Sequence, residues 1–314
     1  MTLQSPAPLL GAIEAGGTKF VLALARGPED IVERELIPTS DPKGTLDACI
    51  EWFNQAQDRH GRMEALGVGS FGPLDLDPAS PSFGDISSTP KPGWLHTPLL
   101  RRLKAAFAVP VAIDTDVNAA ALAEARWGVG VGLDPLVYLT VGTGIGGGVL
   151  VHGNLLHGAL HPEIGHLMVP DPQDGAPQPE GQCPYHRNCV EGYACGPAIE
   201  KRWGRPAPEL PADHPAWTGV ARSLAHACAN LCLTLSPRRI ILGGGVMQTS
   251  GLLEKVRHQL SSQLNGYLRI PELHDQLDSF LCAPGLGTHS GLYGALALAK
   301  NSLHDQAAVN PPTP

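Results

Sequence analysis

The chain has no apolar run of about 18 residues, the length a helix needs to cross a bilayer, so a membrane role is not expected. Its first residues, Met1 to Pro8, lack the basic start and apolar stretch of a secretory signal, and a cytosolic protein is expected. Positive charge is scarce. With 22 Lys and Arg against 30 Asp and Glu the formal net charge is -8, and no basic stripe offsets the repulsion of nucleic-acid phosphates. Nucleic acid is therefore excluded as an expected partner. Charged residues make up only 17% and hydrophobic ones 43%, a globular composition and not that of a disordered or fibrous chain. No Gly-Lys-[Ser/Thr] occurs, so a P-loop is missing. At 314 residues the chain suits two domains.

Glycine and proline are plentiful, 37 and 30, and they punctuate many short apolar runs. Leu9 to Glu14 and Phe20 to Ala25 read as strands flanking Ala15-Gly16-Gly17-Thr18-Lys19, a hairpin turn whose glycines permit positive φ. Leu136 to Val141 and Gly148 to Val151 flank Gly142-Thr143-Gly144-Ile145-Gly146-Gly147 in the same way, so one unit is expected twice. Between them, Leu46 to Gln57 and Pro98 to Phe107 have helical periodicity, while Leu66 to Ser70 and Val109 to Ile113 read as buried strands. Ala216 to Leu235 reads as a long helix, Arg239 to Leu242 as a strand entering Gly243-Gly244-Gly245, and Gly291 to Lys300 as a closing helix. The alternation predicts an α/β fold. The expected division is an N-terminal lobe over 1–117 joined by a closing helix 291–303, a C-terminal lobe over 118–290, and a disordered tail over 304–314. Asp171 to Gln182 is expected to be a loop.

Two stretches match G-x-G-x-x-G, at Gly67/Gly69/Gly72 and Gly142/Gly144/Gly147. A dinucleotide fingerprint needs a helix after the glycines, whereas Gly147 runs into β-prone sequence. Two Gly/Thr hairpins remain, whose amides and hydroxyls can face one polyphosphate with Lys19 adding charge; tight hairpins without a ligand are the alternative. Asp114-Thr115-Asp116-Val117-Asn118 follows a strand, where carboxylates commonly face a ligand crevice. If the strand continues, Asp114 and Asp116 share a face, and one can accept a proton from a substrate hydroxyl; a helix cap is the alternative. Cys183-x-x-His186-x-x-Cys189, with His166 upstream, makes a complete tetrahedral zinc set of the closed, structural kind. Cys195 is a spare ligand or a packing residue, and Cys49, Cys228, Cys232 and Cys282 read as buried thiols. Glu163 and Glu191 bracket the metal candidate and suit a polyol, unless they are ordinary solvated acids.

Together these stretches resemble the ROK family of sugar kinases across nearly the whole chain, and the resemblance implies the two-lobed, actin-like (hexokinase-type) ATPase fold with duplicated lobes. The segments that carry it are Ile13 to Lys19, Thr140 to Gly148, Leu242 to Met247 and Pro162-Glu163-Ile164-Gly165-His166. Within the family, Ser70-Phe71-Gly72-Pro73-Leu74, Ser88 to Trp94, Asp114 to Asn118 and His161 to His166 look most like bacterial zinc-containing fructokinases. The implied activity is transfer from MgATP to a hexose, foremost fructose, in the cleft between the lobes. A mannose- or glucose-type hexokinase and a non-catalytic sugar sensor are the alternatives. A helix-turn-helix repressor is not expected, because the first strand begins near Leu9. By the resemblance Asp116 is the general base, and Ser70, Gly72, Thr115, Glu163, His166 and Glu191 meet the sugar. Glu14, Gly16, Gly17, Thr18, Lys19, Thr143 and Gly144 with Gly243, Gly244 and Gly245 hold ATP and Mg²⁺. His166, Cys183, His186 and Cys189 hold Zn²⁺, and His166 serves both sites through its two ring nitrogens. A homodimer is implied. Three departures stand out: Thr115 replaces the Asn of glucose-type members, the zinc run is shorter, and Glu14 replaces the more usual Asp.

Overall fold

A computed structural model describes residues 7–89 and 91–309. Residues 1–6, most of the stretch read for a signal, lie outside them, as do Pro90 and residues 310–314 of the expected tail. The described chain falls into two units: one holds the chain up to Arg126, His157–His161 and the chain from His289, and the other holds Trp127–Leu156 and Pro162–Thr288.

The first unit begins with β1 (Leu10–Ala15), β2 (Lys19–Gly27) and β3 (Asp30–Pro38). Helix α1 (Pro42–His60), β4 (Ala65–Ser70), α2 (Leu99–Ala106), β5 (Val111–Thr115) and α3 (Asp116–Trp127) follow. The strands form one five-stranded sheet in the order β3-β2-β1-β4-β5. β1 and β2 pair antiparallel, while β4 lies parallel to both β1 and β5. Local chemistry sets the helix starts. α1 opens with Pro42 behind Asp41, whose side chain accepts the Gly44 N–H at 2.9 Å. Its apolar residues Leu46, Cys49, Phe53 and Ala56 are buried against the core that contains Phe20, Leu22 and Trp94.

The second unit repeats the plan. Its elements are β6 (Leu136–Val141), β7 (Ile145–Val151), β8 (Asn154–Leu155), α4 (Val190–Ala194), α5 (Gly196–Trp203), α6 (Ala216–Leu235), β9 (Arg239–Gly243), α7 (Leu252–Leu264), α8 (Pro271–His274), α9 (Leu277–Phe280) and β10 (Leu281–Cys282). Its sheet runs β8-β7-β6-β9-β10, with an antiparallel β6-β7 hairpin and β9 parallel to β6 and β10. Strand for strand this is the first sheet again, so the two Gly/Thr turns occupy equivalent places.

Helix α10 (Ser290–Val309) belongs to the first unit and lies on β4 so closely that a Cβ on Gly67 would sit 1.8 Å from the Ala295 carbonyl oxygen. That contact accounts for one glycine of the first G-x-G-x-x-G stretch: it admits a helix, not a nucleotide.

Several expectations need correction. The boundary expected after 117 falls inside α3, because Asp116 opens this helix and hydrogen bonding carries it to Trp127. The tail expected from 304 is helical through Val309. β7 starts at Ile145, earlier than expected, its glycines admitting the chain around Ile164; a Cβ on Gly147 would meet Ile164 Cδ1 at 2.5 Å. β3 has no strand signal in the sequence. Its Glu33, Arg34 and Glu35 give no apolar alternation, and it forms because β2 offers an open edge.

Candidate active site and metal centre

In the first unit, the β1-β2 turn leaves Gly17, Thr18 and Lys19 exposed. It closes through the Gly16 N–H donated to Lys19 O at 3.0 Å, and Thr39 Oγ1 donates to Gly16 O at 2.8 Å. Neither Gly16 nor Gly17 is among the glycines with positive φ. The expected reason for glycine does not hold here: at Gly16 the need is space, since a Cβ would lie 2.8 Å from Lys19 O, whereas a Cβ on Gly17 would meet nothing within 4 Å. Glu14, near the end of β1, has its pKa raised by burial, with Lys19 and Arg34 opposing the shift.

Asp114 and Asp116 do not share a strand face, because β5 ends at Thr115 and Asp116 is the first residue of α3. Thr115 caps that helix, its Oγ1 accepting the Asn118 N–H at 3.1 Å. Asp116 accepts the Val117 N–H at 2.9 Å, and burial, followed by the Glu14 negative charge, pushes its carboxyl pKa up to about 7. Asp114 is buried and occupied: it accepts from Thr115 N at 2.8 Å and Asn118 Nδ2 at 2.7 Å, and His157 Nε2 lies 3.0 Å away. Asp114 in turn raises the His157 pKa, chiefly through that hydrogen bond. Ser70 is buried at the end of β4, donating to Phe71 O at 2.9 Å. The Leu74 N–H, just beyond Gly72, is donated to His161 Nε2 at 3.2 Å.

In the second unit, the β6-β7 turn exposes Thr143 and closes through the Gly142 N–H on Gly144 O at 2.9 Å. The 3-10 turn Ile164–His166 packs against β7, where a Cβ on Gly165 would lie 1.8 Å from Ile145 O. Behind the β6-β7 turn stands Glu191, whose Oε2 accepts the Ile145 N–H at 2.8 Å. The Glu163 carboxyl is raised by desolvation and then by the charge on Glu191. Gly243 ends β9, and Gly244 follows with φ +94.

His166, Cys183, His186 and Cys189 converge so that one ligand atom from each lies within 4.8 Å of every other. Cys183 Sγ lies 3.8 Å from Nδ1 of both His166 and His186. Tetrahedral zinc with S and N ligands at about 2.3 and 2.0 Å needs S···N edges of about 3.6 Å, so both the donor set and its spacing fit that metal. His166 faces Cys183 with its Nδ1. Cys195 is buried between α4 and α5 and is not one of the four. The loop before Cys183 is tied down by a bidentate pair, Arg202 to Asp174 at 2.9 and 2.8 Å, both side chains 1% exposed.

Residues 10–302 match the ROK family. The chain belongs to the ROK family. Among ROK relatives it is similar to a fructokinase of Zymomonas mobilis, 44% identical over 95% of this chain and 98% of the relative. It is also similar to a fructokinase of Pediococcus pentosaceus, 40% identical over 94% and 99% of the two chains. The crystal structure of a ROK hexokinase from Thermus thermophilus matches with a TM-score of 0.77 at 29% identity, covering 95% of this chain and 99% of that one. That likeness agrees with the duplicated α/β architecture.

In this ROK chain His157 and the Asp174–Arg202 pair carry no sequence signal, and Asn118, although part of the Asp114–Asn118 stretch, has no role that the sequence assigns. Asn118 reaches Asp114 across the turn from β5 into α3, so neither the strand period nor the helix period marks the pair. His157 and Arg202 reach partners 43 and 28 residues away, for which the sequence offers no spacing rule.

Proposed function

We propose that the chain is an ATP-dependent fructokinase that transfers the γ-phosphoryl group of MgATP to the 6-hydroxyl of D-fructose. The observation that carries this reading is Asp116: a carboxylate at the start of α3 whose pKa of about 7 matches a general base at neutral pH, in a chain 40–44% identical to proteins named fructokinase. As the sugar oxygen attacks phosphorus, Asp116 takes its proton, the bond to the ADP oxygen breaks, and ADP leaves. The remaining catalysis is positioning and charge neutralisation.

Gly16, Gly17, Thr18 and Lys19 in the first turn, with Thr143 and Gly144 in the second, serve the phosphates, and Gly243, Gly244 and Gly245 the adenosine side. Glu14 helps hold Mg²⁺ and its waters. Ser70, Gly72, Thr115, Glu163, His166 and Glu191 serve the sugar; Thr115 keeps its O–H as a donor while its oxygen caps α3. Zinc, held by His166, Cys183, His186 and Cys189, supplies shape and anchors the loop between β8 and α4. A small-molecule substrate, a cytosolic setting and a homodimer belong to the same reading.

The test is ADP release from MgATP with fructose, mannose, glucose, N-acetylmannosamine and no sugar, on zinc-loaded protein. Fastest turnover with fructose is expected. Preference for another sugar refutes the substrate assignment, and no turnover with any of them refutes the kinase.

A further inference from the structure

The second glycine turn is held from below by a side chain assigned to the sugar. Glu191 Oε2 accepts the Ile145 N–H at 2.8 Å, and a Cβ on Gly144 would fall 2.9 Å from the same oxygen. The carboxylate therefore occupies the space under Gly144 that any other residue would fill. The helix presenting it, α4, starts at Cys189, whose Sγ accepts the Gly192 N–H at 3.4 Å. A second bond ties the turn to the next helix, Gly196 N–H to Gly142 O at 2.8 Å. The turn is thus seated on the α4–α5 corner, with one charge-assisted bond at its centre.

We propose that Glu191 is a positioning residue for the phosphate turn Gly142–Gly147, fixing the backbone that receives the ATP phosphates through the Ile145 amide. This rests on the reading of that turn as a nucleotide contact. One oxygen, Oε2, holds the turn, and the proposal concerns that oxygen alone.

The experiment compares wild type with Glu191→Gln, Glu191→Ala and Glu191→Asp on zinc-loaded protein. MgATP affinity is measured by titration calorimetry without sugar, and KM for fructose is measured separately. Gln keeps a carbonyl acceptor at the same reach, so its MgATP affinity stays within about threefold of wild type. Ala removes the acceptor and Asp withdraws it, and each weakens MgATP about tenfold, the size of one amide-to-carboxylate bond. Should Ala fail to fold, Asp carries the test. Ala and Asp within twofold of wild type, or Gln as weak as Ala, overturns the proposal. Normal MgATP binding with a raised fructose KM also overturns it and leaves Glu191 as a sugar contact. Weakened MgATP binding with an unchanged KM supports it and removes Glu191 from the sugar. A wild type that binds no MgATP overturns both this proposal and the kinase reading.

Discussion

Replacing Asp116 by Asn should remove activity and add stability, and the stability gain should depend on pH. A carboxyl ordinarily titrates near 4, whereas burial and the neighbouring Glu14 raise Asp116 to about 7. The folded protein thus holds this proton more tightly than the unfolded chain. Ionising Asp116 in the fold costs free energy that accumulates as pH rises from about 4 to about 7 and is constant above. Three pH units correspond to at most about 4 kcal/mol, and because the residue, though its carboxyl is desolvated, keeps some exposed surface, about 2 kcal/mol is the discounted figure. Asn carries no such penalty. The variant should melt about 4 °C above wild type at pH 8, with about a third of that gain at pH 5. Turnover should fall by about 10²–10⁴ while fructose still binds. In wild type, kcat/KM should decline below an apparent pKa near 7, since the base must be ionised. Paired melts at pH 5 and 8, with initial rates, check all of this. A variant retaining more than a tenth of wild-type turnover, or whose stability gain is absent or flat with pH, refutes the reasoning.

His157→Gln should destabilise the protein more at pH 6 than at pH 9 in thermal melts. The Asp114 partner raises the His157 pKa, so the pair's contribution is present below the unfolded value near 6.5 and is lost as pH rises through the folded one. Chelator treatment should release close to one zinc per chain by elemental analysis and lower both melting temperature and activity, because structural metal binding is part of the folding free energy. Asp174→Asn leaves the Arg202 guanidinium buried without its counter-charge, and urea unfolding should report a loss of about 3–5 kcal/mol.

Much of the fold was legible because the chain states it twice. The hairpins around Gly16 and Gly142 are marked by strands on both sides, and α6 is apolar enough that its ends, Ala216 and Leu235, coincide with the expected ones. The metal cluster was legible because Cys183, His186 and Cys189 are close in sequence and their residue types are chemically selective. Elements set by tertiary contact were not legible. β3 is polar and forms only because β2 offers it an edge, and β10 is two residues long. Within the site, the pairing of Asp114 with Asp116 failed at one backbone event: the chain turns from strand to helix at Thr115, so alternation no longer applies. In sequence the turn glycines suggest conformational freedom, but space is what Gly16 and Gly144 supply, and that depends on Lys19 O and Glu191 in the fold.

The central claim is phosphoryl transfer to the fructose 6-hydroxyl. ³¹P nuclear magnetic resonance of wild-type protein with MgATP and fructose follows every phosphorus atom directly. Growth of the fructose 6-phosphate resonance in step with ADP is the predicted result. Phosphate released as the free inorganic ion, phosphorylation at another carbon, or an unchanged ATP spectrum would contradict it.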